Sequence, residues 1–164
     1  MRAKPMARTA KPASKESPAK QLARFIAKFD PAIARRIRAA RTAVRKRLPT
    51  AIELVYDNYN FFVIGYSATE RASDAIVSLA ANGKGVGLAF IYGATLPDPT
   101  RILQGSGTQN RFIRLPSAAM LGEPAVEALM RAAVQQAKTP LPDSGGGYTV
   151  IKSVSIKQRP RRAS

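Results

Sequence analysis

The 164-residue sequence contains no cysteine and no histidine. This double absence excludes disulfides, thiolate nucleophiles, an imidazole general base and the usual zinc ligand sets. Hydroxyls, carboxylates, amides and amines remain, but their spacing assembles no recognisable nucleophile and base. No catalytic residue, cofactor or metal ligand is therefore assigned, and the reading leans away from an enzyme. Long apolar runs are lacking too. The longest uncharged apolar window, Gly85 to Pro97, falls well short of the ~20 residues that cross a bilayer. The first twenty residues hold basic residues, prolines and serines but no apolar segment of a secretory signal. No membrane partner is expected, and the chain reads as a cytoplasmic protein.

Acidic residues are scarce: 10 against 27 lysines and arginines, for a formal charge of +17. The excess is unevenly spread. Residues 1–48 carry fifteen basic and two acidic residues, 49–151 carry seven and eight, and 152–164 carry five and none. The middle is thus almost neutral, and the positive charge belongs to the ends and the first helices. The length suits one hydrophobic core. Residues 1–19 read as a disordered basic tail, because three prolines and few apolar residues cannot offset the entropy of ordering. A domain spans 20–156, and 157–164 reads as a second basic tail.

Within the domain, Leu22, Phe25, Ile26 and Phe29 form the stripe of a short helix starting near Ser17-Pro18. Asp30 and Pro31 open a second helix, with Ile33, Ile37, Ala40, Val44 and Leu48 on its apolar face and arginines elsewhere. "AIELVYDN" at 51–58 is expected to add further helical turns. "YNFFVIGYS", "DAIVSLAA" and "VGLAFIY" read as strands, with "NGKG" as a hairpin turn before the third, whose continuous apolar run suggests a central position. Asp98-Pro99 should cap a short helical turn through Leu103, "RFIRL" should form a fourth strand, and Glu123-Pro124 should open a long helix. After the "SGGG" hinge, Tyr148 to about Ile156 is β-branched. This order predicts an α+β fold, two layers, with an antiparallel sheet of about five strands packed against helices.

"LPTAIELVYDNYNFFVIGY", "LAFIYGATLPDP" and "ILQGSGTQNRFIRL" together resemble the YdhG-like family of domains of unknown function, from about Asp30 to Lys138 and on toward Arg162. The resemblance implies a two-layer α+β domain and transfers no reaction. An analogy of some members with frataxin-like iron chaperones implies clustered carboxylates, where the first helices here are basic.

Several groups are candidates for binding. Backbone N–H groups at Gly105 and Gly107, with Arg111 as a guanidinium fork, could hold a phosphate or carboxylate, although glycines after a short helix serve backbone geometry equally well. "GKGVG" at 83–87 matches neither a P-loop nor a dinucleotide fingerprint, and reads as a turn. Glu53 and Asp57, four apart, would share one helical face and could bind a cation or pair as acid and base, the alternative being an exposed face near the basic helices with ordinary ion pairing. Tyr56, Asp57, Asn58 and Tyr59 could rim a small pocket near the "QGSGTQNR" loop. The partner would then be an unknown small ligand or a protein. Alternatively the basic ends and first helices, with Lys20, Arg35, Arg38, Lys157, Arg159, Arg161 and Arg162, could bind nucleic acid non-specifically through phosphates, or be merely solubilising.

Overall fold

The computed structural model describes residues 16–163. The first helix, α1 (Pro18–Ile26), begins where Ser17 Oγ accepts the Lys20 N–H at 3.2 Å, with Pro18 in the first turn, where a missing N–H costs nothing. Glu16 reaches forward to Arg24 at 2.7 Å. Residues 16–19 therefore belong to the folded domain, and the rest of the expected N-terminal tail lies outside the described residues. The second helix, α2 (Pro31–Arg47), starts at Asp30, but the Asp30 side chain makes no capping hydrogen bond. Its carboxylate accepts the Ala163 N–H at 3.1 Å instead, so the chain terminus takes the cap.

Six strands follow: β1 (Ile52–Asp57), β2 (Phe62–Ser67), β3 (Ala75–Asn82), β4 (Gly85–Phe90), β5 (Arg111–Arg114) and, after helix α3 (Pro124–Gln136), β6 (Thr149–Val154). They form one sheet in the order β5-β4-β3-β2-β1-β6. Neighbours are antiparallel except β1 and β6, which are parallel. The α+β class is as expected, with helices packed against a sheet that has six strands and is mixed. The extra strand is β1: "IELVYD" pairs in full register with β2 and is buried at five of its six positions, so the stretch expected to be helical is an interior strand. Its two acids give a short apolar run the appearance of a helix with a polar face, and periodicity cannot separate the two over six residues. The strand expected to be central, β4, is second from the edge and buries only alternate residues. Asp98 starts no helix: its carboxylate accepts the N–H groups of Ile102 and Leu103 at 3.1 and 3.0 Å and closes a turn.

The register explains the layers. Val55, Ile64, Leu79, Leu88 and Ile113 form one cross-strand row, all buried against Phe25, Ile37, Val44, Val126 and Leu129 of the helices. The adjacent row, Leu54, Gly65, Ser78, Ala89 and Phe112, lies on the opposite face and is mostly small. The chain returns from α3 to pair β6 with β1, the Gly147 N–H donating to Pro49 O and the Glu53 N–H to Tyr148 O. Gly147 lies so close to the Ala51 carbonyl that no Cβ could be accommodated there.

Candidate functional site

β1 places Glu53 and Asp57 on the helix-facing side of the sheet, about 13 Å apart at strand rise rather than one helical turn apart. Both are buried, contrary to the exposed face expected for them. Neither meets the other. Glu53 takes both ends of the Arg41 fork at 2.9 Å, and accepts the Tyr66 hydroxyl at 2.9 Å and the Thr149 hydroxyl at 2.8 Å. Burial pushes the Glu53 carboxyl up, and Arg41 with these two hydroxyls outweighs it, holding the group below its ordinary value. The Tyr66 hydroxyl is pushed well above its ordinary value by burial and by the adjoining carboxylate.

Asp57 is fully buried and bridges two cations: Lys28 from the turn after α1 on one oxygen, and Arg161 at 2.8 Å on the other. Burial raises this carboxyl too, and Lys28, Arg161 and Gln158 overcome it, so Asp57 is held ionised below the usual range. Arg161 is 4% exposed, lies 5.8 Å from the Phe29 ring, and also donates to Asn58 O at 2.7 Å. The 157–163 segment is thus docked rather than a free arm: the Arg159 N–H donates to Tyr59 O, and Arg162 faces Asp30 at 3.8 Å. Arg161 cannot reach a phosphate from this position. Lys157, Arg159 and Arg162 remain exposed, as do Lys20 on α1 and Arg35 and Arg38 on α2.

The "QGSGTQNR" loop follows the same structural logic. Arg111 Nη1 donates to Gly107 O at 2.7 Å and Asn110 O at 2.8 Å, clipping the loop, while Gln104 bridges Phe112. Gly105 has φ of 115°, a conformation that suits glycine. One arm of the fork that could have held an anion, Nη1, is thus engaged by carbonyls. Gly93 accepts this arrangement because it lacks a side chain; a Cβ there would lie 2.6 Å from Arg111 Cβ. Nor do Tyr56, Asp57, Asn58 and Tyr59 share a pocket with this loop, since β1 and β5 are separated by three strands. Tyr56 is half-buried on the opposite sheet face, and burial raises its hydroxyl pKa.

A cavity of about 740 Å³ opens elsewhere, between the start of β3, the turn after β4 and the end of α3. Ile76, Phe90 and Leu96 give it apolar walls, and Ala133 on α3 and Ala137 just past its end are too short to fill it. Its polar groups are fixed by one another. Asp74 accepts the hydroxyls of Thr69 and Thr139 at 2.7 and 3.0 Å, and these bonds hold its carboxyl below the ordinary range. Gln136 donates to Tyr92 O and accepts from Thr95, while the Tyr92 hydroxyl donates to Ser73 O. Arg71 and Lys138 stand exposed at the rim, and the clipped loop contributes Thr108 and Gln109. Phe90 to Leu96 lie in the "LAFIYGATLPDP" stretch and Thr108 and Gln109 in the "QGSGTQNR" loop, but no sequence signal joined them to Asp74, Ala133 or Gln136.

Among the described residues no group of three or more Asp, Glu, His or Cys could hold a metal ion, and no helix is long and apolar enough to cross a membrane. No protein-family model, curated protein or solved structure matches the chain.

Proposed function

We propose that the protein is a non-enzymatic cytoplasmic binding module of the YdhG-like type, taking a small ligand in the cavity between β3, β4 and α3. The observation that carries this is the cavity itself: about 740 Å³, within the size range of small-molecule sites, with an apolar floor and a few polar groups fixed by their own hydrogen bonds. Such a site needs little ordering on binding, which favours affinity. Arg71 and Lys138 against Asp74 give its lining an excess of one positive charge, which suits an amphiphilic monoanion. The test is a thermal-shift screen of small carboxylates and phosphates, repeated on Ala137→Phe, which fills the cavity from a half-buried position. At least one hit should appear and be lost in the variant. Hits that survive the filled cavity would remove the reading.

A second reading, that the protein associates electrostatically with nucleic acid, is favoured by α2. Its seventeen residues include seven cations and no acid. Arg41 and Arg47 are engaged by Glu53 and Glu127, whereas Arg35, Arg36, Arg38, Arg45 and Lys46 have no salt bridge among the described residues. From Arg35 to Lys46 the helix rises about 16 Å, enough to follow several phosphates. Replacing Arg35, Arg38 and Lys46 by glutamine should lower the slope of log affinity against log salt for duplex DNA by roughly 2 to 3. An unchanged slope would exclude α2 as the contact.

A further inference from the structure

We infer that the tip of the β1–β2 hairpin and the chain segment beside it form a stacking site for single-stranded nucleic acid. Four of the six large apolar side chains left exposed among the described residues gather here: Tyr59 (47%) and Phe61 (44%) on the turn, with Val154 and Ile156 just beyond it, whereas Tyr92 borders the cavity and Tyr148 reaches Glu70. Hydrogen bonds tie the two stretches together, among them Ser155 N–H to Asp57 O, Arg159 N–H to Tyr59 O, and Ser153 Oγ to Asn58 Oδ1. The turn is closed by the Asn58 N–H on Phe61 O at 3.0 Å, so the two aromatic residues flank Asn60 on a fixed backbone.

The charge around these rings has one sign. No charged residue occurs from Asn58 to Thr69, and no acid follows Asp143, while Lys157 and Arg159 are exposed; Lys152 is turned away and donates to Glu70 O at 3.0 Å. Arg159 is held in place: Nε donates to Asn60 Oδ1 at 2.9 Å, and its guanidinium carbon lies 5.6 Å from the Tyr59 ring centroid. One face of Tyr59 is thereby steadied by a cation while the ring stays open to solvent. Beneath the turn, Arg161 bonds both Asp57 and Asn58 O, which makes the buried ion cluster the support that presents the tip.

Exposed aromatic rings interleaved with cations are what a single strand needs, because unpaired bases offer π-faces to stack and phosphates to neutralise. A duplex hides its base faces. A peptide side chain would seek a concavity, and a hairpin tip is convex. The inference rests on the nucleic-acid reading in requiring a bound polyanion, but differs in location and in the force that discriminates.

The experiment uses the full chain and fluorescence anisotropy with a labelled oligothymidylate of about 12 nucleotides and a duplex of equal length, across salt from about 50 to 200 mM. The double variant Tyr59→Leu, Phe61→Leu, whose melting temperature checks its folding, should bind the single strand at least tenfold more weakly, with salt slope and duplex affinity unchanged. Lys157→Gln should lower the single-strand slope by roughly 0.7. Single-strand affinity equal to the parent's in the double variant overturns the site while leaving α2 binding intact. Failure of both nucleic acids to bind at the lowest salt removes this site and the nucleic-acid reading together. Displacement of the oligonucleotide by polyglutamate, equally from parent and variant, would mark a general polyanion surface and overturn stacking.

Discussion

Asp57 carries more of the molecule than its place in the sequence suggests. It is fully buried, and each carboxylate oxygen has a cation from a different part of the chain, Lys28 and Arg161. Removing one partner of a buried pair leaves the other charge uncompensated. Asp57→Ala is expected to cost about 3–5 kcal/mol, because Arg161 Nε and Nη1 already lack partners. Arg161→Met should cost less, since Lys28 still holds Asp57 and the thioether can pack on Phe29. Urea unfolding midpoints decide the order, and equal losses would count against the asymmetry. The pH dependence has a definite sign. Glu53 and Asp57 are held below their ordinary values of 4.5 and 3.8, so the folded state binds fewer protons than the unfolded chain in acid. Their contribution is present in full above those values and is lost as pH falls through them towards the lower folded ones. The urea midpoint should therefore drop in that window, and the drop should shrink in Arg161→Met. Asp57 could be singled out from sequence as a polar residue in an apolar stretch. Its partners could not, because they lie 29 and 104 residues away.

At the scale of elements, the helices were the legible part. Ser17-Pro18, Pro31 and Pro124 mark the starts of α1, α2 and α3, since capping and proline geometry act within one turn. β1 was not legible as a strand. Its Glu53 and Asp57 are tolerated inside the sheet only because Arg41, Lys28 and Arg161 come to them. The C-terminal segment reads as a tail for the converse reason: a run such as "KQRPRR" has no periodicity, and only a buried acid turns it into a strap. Deleting residues 157–164 should accelerate hydrogen exchange at the β1–β2 turn and the end of α1 while leaving β3 and β4 protected. Uniform exchange across all six strands would mean that the segment supports the whole core instead.

For the whole molecule, a net +17 places a self-repulsive shell around an almost neutral core. Screening acts on exposed charges beyond a Debye length and much less on the buried Asp57 and Glu53 clusters. Raising salt from about 20 to 200 mM at neutral pH should therefore increase the melting temperature. A decrease would show that surface ion pairs such as Glu16 with Arg24 and Arg47 with Glu127 outweigh the repulsion. The sequence alone determined the class of fold, the starts of the three helices, most strands, and the chemistry left without cysteine or histidine, because composition and periodicity act over a few residues. Tertiary structure alone decided that β6 pairs in parallel with β1, that Arg161 is buried, that Arg111 Nη1 clips its own loop, and that a cavity lies behind Ala133 and Ala137. Each depends on where the chain returns after many residues, and on which charge is waiting there.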